Sequence, residues 1–274
     1  MPDKTSSSTA LLRVEGLRKS YGDFVTLQNI SFTAKQGELI CVVGPSGAGK
    51  TTLLKCIAGL LAPSGGIVEL DGERVTAPPK KMAVVFQEYG RSLMPWMTVR
   101  RNIELPIMRT TSATERMRRV AEALDAVGLT ASADRYPWQL SGGMQQRVAI
   151  ARAVAYQPEV LIMDEPFAAV DAQTRADLED LVRGIWARFG VTVLFVTHDI
   201  DESVYLGERV IVLSMSPTLV QEDLVIDLPD KRNQIETRAL PRFTELRTHI
   251  YEQIQRAKRG AAQDVAAATE GEIS

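Results

Sequence analysis

The stretch "GPSGAGKT" at residues 44–51 fits the pattern G-x-x-x-x-G-K-[ST], which is typical of loops that bind nucleotide phosphates. An apolar stretch of strand type precedes it and a helical pattern follows it, as this chemistry requires. Glycines let backbone amides surround phosphate oxygens, the Lys50 ammonium reaches the terminal phosphates, and the Thr51 hydroxyl can bind Mg²⁺. A chance match in a glycine-rich loop is the alternative, which the flanking elements make rarer. The predicted phosphate-binding residues are Gly44, Pro45, Ser46, Gly47, Ala48, Gly49, Lys50, Thr51 and Thr52.

Two adjacent carboxylates end a second apolar stretch, "VLIMDE" at residues 160–165. In open α/β sheets the carboxyl ends of the strands face the ligand crevice, where the phosphate loop also lies. We therefore predict that Asp164 holds Mg²⁺, directly or through water, and that Glu165 orients or deprotonates a water attacking the terminal phosphate. On its own, such a pair is more often an acidic loop start or a helix cap before Pro166.

Two further polar side chains follow apolar stretches of the same kind. His198, one of two histidines, can hydrogen-bond the terminal phosphate and so respond to its presence; a purely structural role is the alternative. The Gln87 amide can bridge Mg²⁺ and the attacking water, or simply bond to the backbone.

The stretch "LSGGMQQR" at residues 140–147 indicates another anion site. A helical pattern follows it, with Met144, Val148, Ala151 and Ala155 on one face. Two glycines at a helix start allow close approach to bare backbone amides, and helix starts attract anions. The chain's own phosphates are held much earlier in the sequence, so these residues alone leave the identity of the anion open.

The apolar patterns predict two kinds of strand. Three stretches near the N-terminus alternate apolar and polar residues, which predicts an antiparallel layer: residues 11–17, 27–34 and 66–72. Five others are apolar almost throughout, which is typical of strands buried on both faces of a parallel sheet. These are residues 38–44, 82–87, 160–165, 191–198 and 209–214.

Helical periods replace the strand patterns from about residue 95 to 157, which predicts a helical subdomain inserted into an α/β core. Near the C-terminus, Phe243, Leu246, Ile250 and Ile254 mark an amphipathic helix, and packing on its own domain is favoured over a regulatory or dimer contact. The expected layout is a flexible tail at 1–10, one domain at 11–235, a helix at 236–257 and a flexible tail at 258–274.

The composition is that of an ordinary globular protein, with 32 basic and 34 acidic residues and a net charge of −2. Nothing in that balance favours bulk nucleic-acid binding. No apolar run approaches the roughly 20 residues that cross a bilayer, and the N-terminus does not resemble a signal peptide. We expect a cytosolic protein, or one attached to a membrane only through partners.

Taken together, these motifs resemble those of the ATP-binding subunit of an ABC transporter. The similarity covers about residues 11–215 and includes "GPSGAGKTT", Gln87, "LSGGMQQR", "VLIMDEP", "AAVD" at 168–171 and His198. Within that family, "LMPWMTVRRNI" and "ALPRFTELRTHIYEQI" resemble the nitrate/sulfonate/taurine group of bacterial importers. The resemblance implies an α/β fold: a P-loop ATPase core with a mainly parallel sheet, an N-terminal antiparallel β layer and an inserted α-helical subdomain.

The resemblance also implies ATP and Mg²⁺ as cofactors and a head-to-tail homodimer. In the family, the signature loop of one subunit caps the ATP of the other. That assigns the second anion site to the partner's nucleotide and places Ser141, Gly142, Gly143 and Gln145 there. Tyr21 resembles the aromatic residue that stacks on adenine, with ordinary packing as the alternative. Asp171 resembles the aspartate that couples the two sites.

The implied partners are integral-membrane permease subunits and, indirectly, a periplasmic or extracellular solute-binding protein, with no nucleic acid. The implied location is peripheral, on the cytoplasmic face of the inner membrane. Residues 88–102 would dock the permease or form subdomain core. Six arginines of the insert are expected to be a solvated face, or otherwise to meet lipid head groups or the permease: Arg100, Arg101, Arg109, Arg116, Arg118 and Arg119.

Other ATPase classes fit less well. ABC-type proteins of DNA maintenance carry long coiled-coil insertions, whereas no heptads separate Lys50 from Ser141. Those of translation usually join two ATPase domains in one chain. A GTPase or a small-molecule kinase does not need "LSGGMQQR", and the guanine signature Asn/Thr-Lys-x-Asp is missing from the sequence.

Overall fold

The computed structural model describes residues 10–87, 92–168 and 170–271, with side chains up to residue 259. Within these ranges, ten strands form one sheet in the order β5-β4-β1-β2-β10-β9-β3-β8-β7-β6. The strands are β1 (Leu12–Tyr21), β2 (Phe24–Ala34), β3 (Leu39–Val43), β4 (Gly65–Leu70), β5 (Glu73–Arg74), β6 (Met82–Val85), β7 (Val160–Asp164), β8 (Thr192–Val196), β9 (Arg209–Leu213) and β10 (Thr218–Val225).

One half of the sheet is parallel, as predicted. Strands β6, β7, β8, β3 and β9 pair in parallel, and every residue of β3, β7 and β8 is buried. Helices cover both faces of such a sheet, which is why the sequences of these strands are apolar almost throughout. Strands β5, β4, β1 and β2 pair antiparallel and form the predicted N-terminal layer.

Strand β10 joins the two halves, pairing antiparallel with β9 and parallel with β2. The sequence patterns do not predict this strand. Its sequence "TLVQEDLV" is polar and mostly half-buried or exposed, so it matches neither the continuous nor the cleanly alternating pattern.

Seven α-helices lie within the described residues: α1 (Lys50–Ile57), α2 (Val99–Glu104), α3 (Ala113–Ala126), α4 (Gly142–Ala155), α5 (Ala172–Phe189), α6 (Ile200–Leu206) and α7 (Pro241–Gly271). Helices α2, α3 and α4 form the predicted helical insert, and short 3₁₀ turns connect them. Gly128 has a φ of 68° just beyond α3, the left-handed conformation that commonly ends a helix.

The C-terminal helix differs from its predicted bounds. It begins at Pro241 rather than at residue 236 and its backbone continues to Gly271, through much of the segment expected to be a flexible tail. Proline is favoured at a first helical position, and the alanine-rich sequence after Lys258 has high helix propensity. Phe243, Leu246 and Ile250 are buried against the domain, as predicted. Residues 1–9 and 272–274 lie outside the described ranges.

A buried amide holds the start of the helical insert. Asn102 has no exposed surface, and its Oδ1 accepts a hydrogen bond of 2.8 Å from the Met94 amide. Its Nδ2 donates to the carbonyls of Met94, Met97 and Thr98, each at 3.1 Å. One side chain therefore satisfies the backbone of the turn between residues 94 and 98.

We expect Asn102→Ala to lower the free energy of unfolding by about 2–3 kcal/mol, because it leaves buried backbone groups without partners. Urea denaturation measures the change, and the exposed Asn29→Ala is a matched control with an expected effect within about 0.5 kcal/mol. Equal stability of the two variants would show that the turn does not depend on this amide.

Candidate functional site

The phosphate-type loop lies between β3 and α1, with a backbone that two glycines make possible. Gly47 and Gly49 have φ values of 82° and 68°, in the left-handed region that glycine tolerates. A Cβ atom on Gly49 would also approach Thr26 Cγ2 to 2.8 Å, so the loop packs tightly against β2. The loop residues thus turn around a central space and begin helix α1 at Lys50.

Lys50 is 7% exposed, and its ammonium bonds to its own loop. Nζ donates to the carbonyls of Gly44 and Pro45 at 3.0 and 3.1 Å, and it lies 3.8 Å from Glu165 Oε1. Burial lowers the pKa of Lys50, and the nearby carboxylates oppose that shift. The cation therefore lies between the loop and the acidic end of β7, where a phosphate can replace one set of partners.

Asp164 ends β7, and its Oδ1 accepts a hydrogen bond of 3.4 Å from Thr51 Oγ1. Burial raises the pKa of Asp164, while the bond from Thr51 lowers it. A hydroxyl and a carboxylate are the hard oxygen ligands that Mg²⁺ accepts when substrate phosphates and water supply the others. No cluster of three or more His, Cys, Asp or Glu side chains suited to a metal occurs among the described residues, so a metal here would rely on this pair.

Glu165 and His198 meet across the ends of β7 and β8. His198 Nδ1 lies 3.1 Å from Glu165 Oε2, and the imidazole is 57% exposed. Glu165 has a φ of 44°, a left-handed conformation that costs free energy in a non-glycine residue and occurs often at functional sites. Its amide bonds to the Val196 carbonyl at 2.9 Å, which fixes this backbone next to β8.

These elements enclose an open cavity of about 540 Å³. Residues from the β3–α1 loop, α1 and the ends of β7 and β8 form its walls, together with one residue from β2. The lining residues are Thr26, Ser46, Gly47, Ala48, Gly49, Lys50, Thr51, Thr52, Glu165 and His198. Thr26 was not predicted, because an alternating strand pattern does not indicate which of its residues faces a ligand.

Five predicted residues of the ATP and metal site are not part of this lining: Gly44, Pro45, Asp164, Gln87 and Tyr21. Gly44, Pro45 and Asp164 still bond to the lining residues Lys50 and Thr51. Gln87 is exposed just beyond β6, and residues 88–91 after it lie outside the described ranges. Tyr21 ends β1 and is 52% exposed, with Lys19 Nζ 5.2 Å from its ring centre. The ring has a free face, but its stacking on a base stays a prediction.

The "LSGGMQQR" residues form a separate surface at the start of α4. Ser141 caps the helix, its Oγ accepting from the Met144 amide at 3.3 Å, and both Ser141 and Gly142 are exposed. Gln145 Nε2 donates to the carbonyls of Pro137 and Leu140 at 3.0 and 3.4 Å, so its amide holds the preceding turn. None of these residues lines the described walls of the cavity.

Asp171 caps helix α5 close to this surface. Its carboxylate accepts from the amide and the hydroxyl of Thr174 at 3.0 and 2.7 Å, and these two bonds lower the pKa of Asp171. A Cβ atom on Gly143 would lie 2.5 Å from Thr174 Cγ2, so a side chain at residue 143 would displace Thr174 where α4 meets α5. The two exposed helix starts are thus adjacent on the surface of one chain.

The chain resembles known proteins over most of its length. Residues 27–168 match the ABC transporter family model. The nitrate import ATP-binding protein NrtD of Synechocystis sp. is 47% identical over 209 residues, covering 76% of this chain and 78% of that protein. NrtC of Synechococcus elongatus, also named for nitrate import, is 43% identical over 242 residues, or 87% of this chain, but the chain spans only 36% of NrtC.

Solved structures agree with this result. A dimeric, post-hydrolysis structure of the ATP-binding cassette MJ0796 with ADP and Pi is 34% identical and superimposes with a TM-score of 0.68. The match covers 78% of this chain and 98% of the MJ0796 chain. The family match, the sequence identity and the shared fold agree with the phosphate loop and the "LSGG" helix start described above. The chain therefore belongs to the ABC transporter family, as an ATP-binding domain of that family.

Proposed function

We propose that the protein binds and hydrolyses ATP as the energy-coupling subunit of an ABC importer for a small solute, of the nitrate/sulfonate/taurine type. The observation that carries this proposal is that Lys50, Thr51, Glu165 and His198 line one cavity, with Asp164 bonded to Thr51 beside it. The solute class rests on the importer relatives alone, because the chain has no described feature that would contact a transported solute.

Each residue at the cavity would have a separate role in ATP hydrolysis. The loop amides and Lys50 hold the phosphates, and Thr51 with Asp164 would hold Mg²⁺, which supplies charge neutralisation when bound. Glu165 orients the attacking water and accepts its proton. His198, bonded to Glu165, donates to the terminal phosphate, and the Gln87 amide would contact the metal and the attacking water.

The cavity is open on one side, and the exposed Ser141 and Gly142 lie outside it. We propose that a second copy supplies these groups head to tail, so that each ATP is held between two chains. Gly143 allows the close packing of α4 on α5, and Gln145 positions the turn before Ser141. Tyr21 would stack on adenine, and Asp171 would link the two sites.

Transport requires further subunits. No helix in the described residues is long and apolar enough to cross a membrane. We propose that the protein is peripheral on the cytoplasmic face of the inner membrane, bound to permease subunits. A solute-binding protein would deliver the solute to those subunits. Trp96 is 70% exposed at the start of the helical insert, and exposed aromatic side chains are common at protein interfaces. This exposure supports the proposal that part of residues 88–102 docks the permease.

Ion pairs of four arginines in the insert support the interpretation of this basic stretch as a solvated face and not as a lipid contact. Arg100 pairs with Asp134 at 3.3 Å and Arg116 with Glu104 at 2.6 Å. Arg118 and Arg119 both pair with Glu115 at 2.7 Å. These cations are already neutralised within the subdomain, and exposed pairs of this kind contribute little stability.

Hydrolysis should depend on Glu165. We expect Glu165→Gln to bind ATP normally and to lose turnover by two or more powers of ten, the upper range for removal of a general base. Phosphate release measured against Glu159→Gln gives a matched control, because Glu159 precedes the same strand but pairs with Lys81 on the surface. Near-normal turnover in Glu165→Gln would remove this residue from the catalytic role.

Dimerisation should depend on the start of α4. We expect Ser141→Arg to leave ATP binding by the monomer intact and to abolish ATP-driven dimerisation, since a long cation would occupy the surface offered to the partner's phosphates. Sedimentation in the Glu165→Gln background measures this. Ser112→Arg is the control, because Ser112 caps α3 in the same way. Loss of ATP binding by the Ser141→Arg monomer would place the loop in the chain's own site.

A further inference from the structure

The first turn of helix α5 contacts two segments of the proposed machinery. Asp171 caps the turn, and Thr174 packs against Gly143 at the start of α4. Arg175 extends in another direction, toward the loop that carries His198. One helical turn therefore touches both the surface proposed to face the partner's ATP and the loop that carries His198 of the chain's own cavity.

Arg175 reaches two carboxylates that follow His198 in sequence. Its Nη1 donates to Asp199 Oδ2 at 3.1 Å, and its Nε lies 3.4 Å from Glu202 Oε1. Nε is buried without a hydrogen-bond partner of good geometry, so its contact with Glu202 is an ion pair without a directed hydrogen bond. The planar guanidinium can hold both acids at once, which a lysine ammonium cannot do in the same geometry.

The same acids close a ring of bonds around the His198 backbone. Glu202 Oε2 accepts from Thr197 Oγ1 at 2.6 Å, and the Asp199 amide donates to that hydroxyl at 2.9 Å. The Glu202 amide in turn bonds to Asp199 Oδ1 at 3.2 Å. Thr197 is 2% exposed and Glu202 is 5% exposed, so the exposed His198 follows a buried residue that bonds to both acids.

Burial raises the pKa of Glu202 to about 7, and the bond from Thr197 and the charge of Arg175 act in the opposite direction. Arg175 thus favours the ionised form of Glu202 beneath the loop. Removing this arginine would weaken the contacts that support the loop of His198.

We propose that Arg175 is a positioning residue that couples the two ATP sites, by tying the His198 loop to the turn of α5 that faces the partner. This inference rests on the proposed function. When a partner's nucleotide engages the starts of α4 and α5, that turn shifts, and Arg175 carries the shift to Asp199 and Glu202. His198 then takes its productive position against Glu165. Arg175 itself touches neither nucleotide.

The test compares the wild type with Arg175→Gln, Arg175→Lys and Arg188→Gln in the full chain. Arg188 is the matched control, because it lies in the last turn of the same helix and pairs with exposed Asp125 of α3 at 2.8 Å, not with the acids that follow His198. Three quantities are measured: ATP affinity of the monomer, ATP-driven dimerisation in the Glu165→Gln background, and the ATP dependence of hydrolysis.

We expect Arg175→Gln to lower kcat roughly 10- to 100-fold, the scale of a small misplacement of a catalytic group. ATP affinity should stay within about twofold of the wild type, because the variant changes no nucleotide contact. The dimer should still form, and a Hill coefficient above one in the wild type should fall to about one, because the two sites are uncoupled. Arg175→Lys should recover part of kcat, and Arg188→Gln should match the wild type.

Unchanged kcat and Hill coefficient in Arg175→Gln would overturn the proposal. A loss of ATP affinity as large as the loss of kcat would also overturn it, because local unfolding would then explain both. If Arg175→Gln does not fold, Arg175→Lys decides: reduced kcat at normal ATP affinity supports coupling, and wild-type kcat overturns it. Failure of the proposed function is a separate result, since Glu165→Gln would then retain turnover with Arg175 intact.

Discussion

The parallel register of β3, β8 and β7 is the constraint on which the site depends. Val196 of β8 pairs with Val42 of β3 on one side and with Asp164 of β7 on the other. The three strands therefore end at the same level, and the residues after each of them meet. A slip of one residue in this pairing would turn Asp164 to the opposite face of the sheet and separate it from Thr51. The buried, apolar bodies of these strands make such a slip unfavourable, so the core of the domain maintains the geometry of its site.

Much of the fold and most of the cavity were predictable from sequence, because buried parallel strands have an unambiguous apolar pattern. The phosphate loop, the carboxylate pair and His198 each follow such a strand, and the structure brings them together. Strand β10 and the true extent of α7 were not predictable in the same way. The first is polar along much of its length, and the second has a C-terminal half whose sequence is equally compatible with a loose tail.

Contacts between distant segments account for the rest of what sequence reasoning missed. Thr26 lines the cavity because Gly49 packs against it, a closeness that neither residue indicates alone. Arg175, Asp199 and Glu202 form a group only when α5 lies beside the His198 loop. Arg232 is similar: its side chain has no exposed surface and donates to the carbonyls of Val204, Tyr205 and Gly207 at the end of α6. A charged residue in a polar stretch of sequence carries no sign that it will be buried.

The bonds that Lys50 makes to the carbonyls of Gly44 and Pro45 give the loop internal support. A loop of bare amides around an unpartnered cation would tend to rearrange. Here the ammonium is bonded to the loop's own oxygens, so the cation and the loop hold each other in place. Under the proposed function, an arriving phosphate would exchange one set of Lys50 bonds for another, and the loop would not have to refold. Departing product would then leave behind a site that is already formed for the next nucleotide.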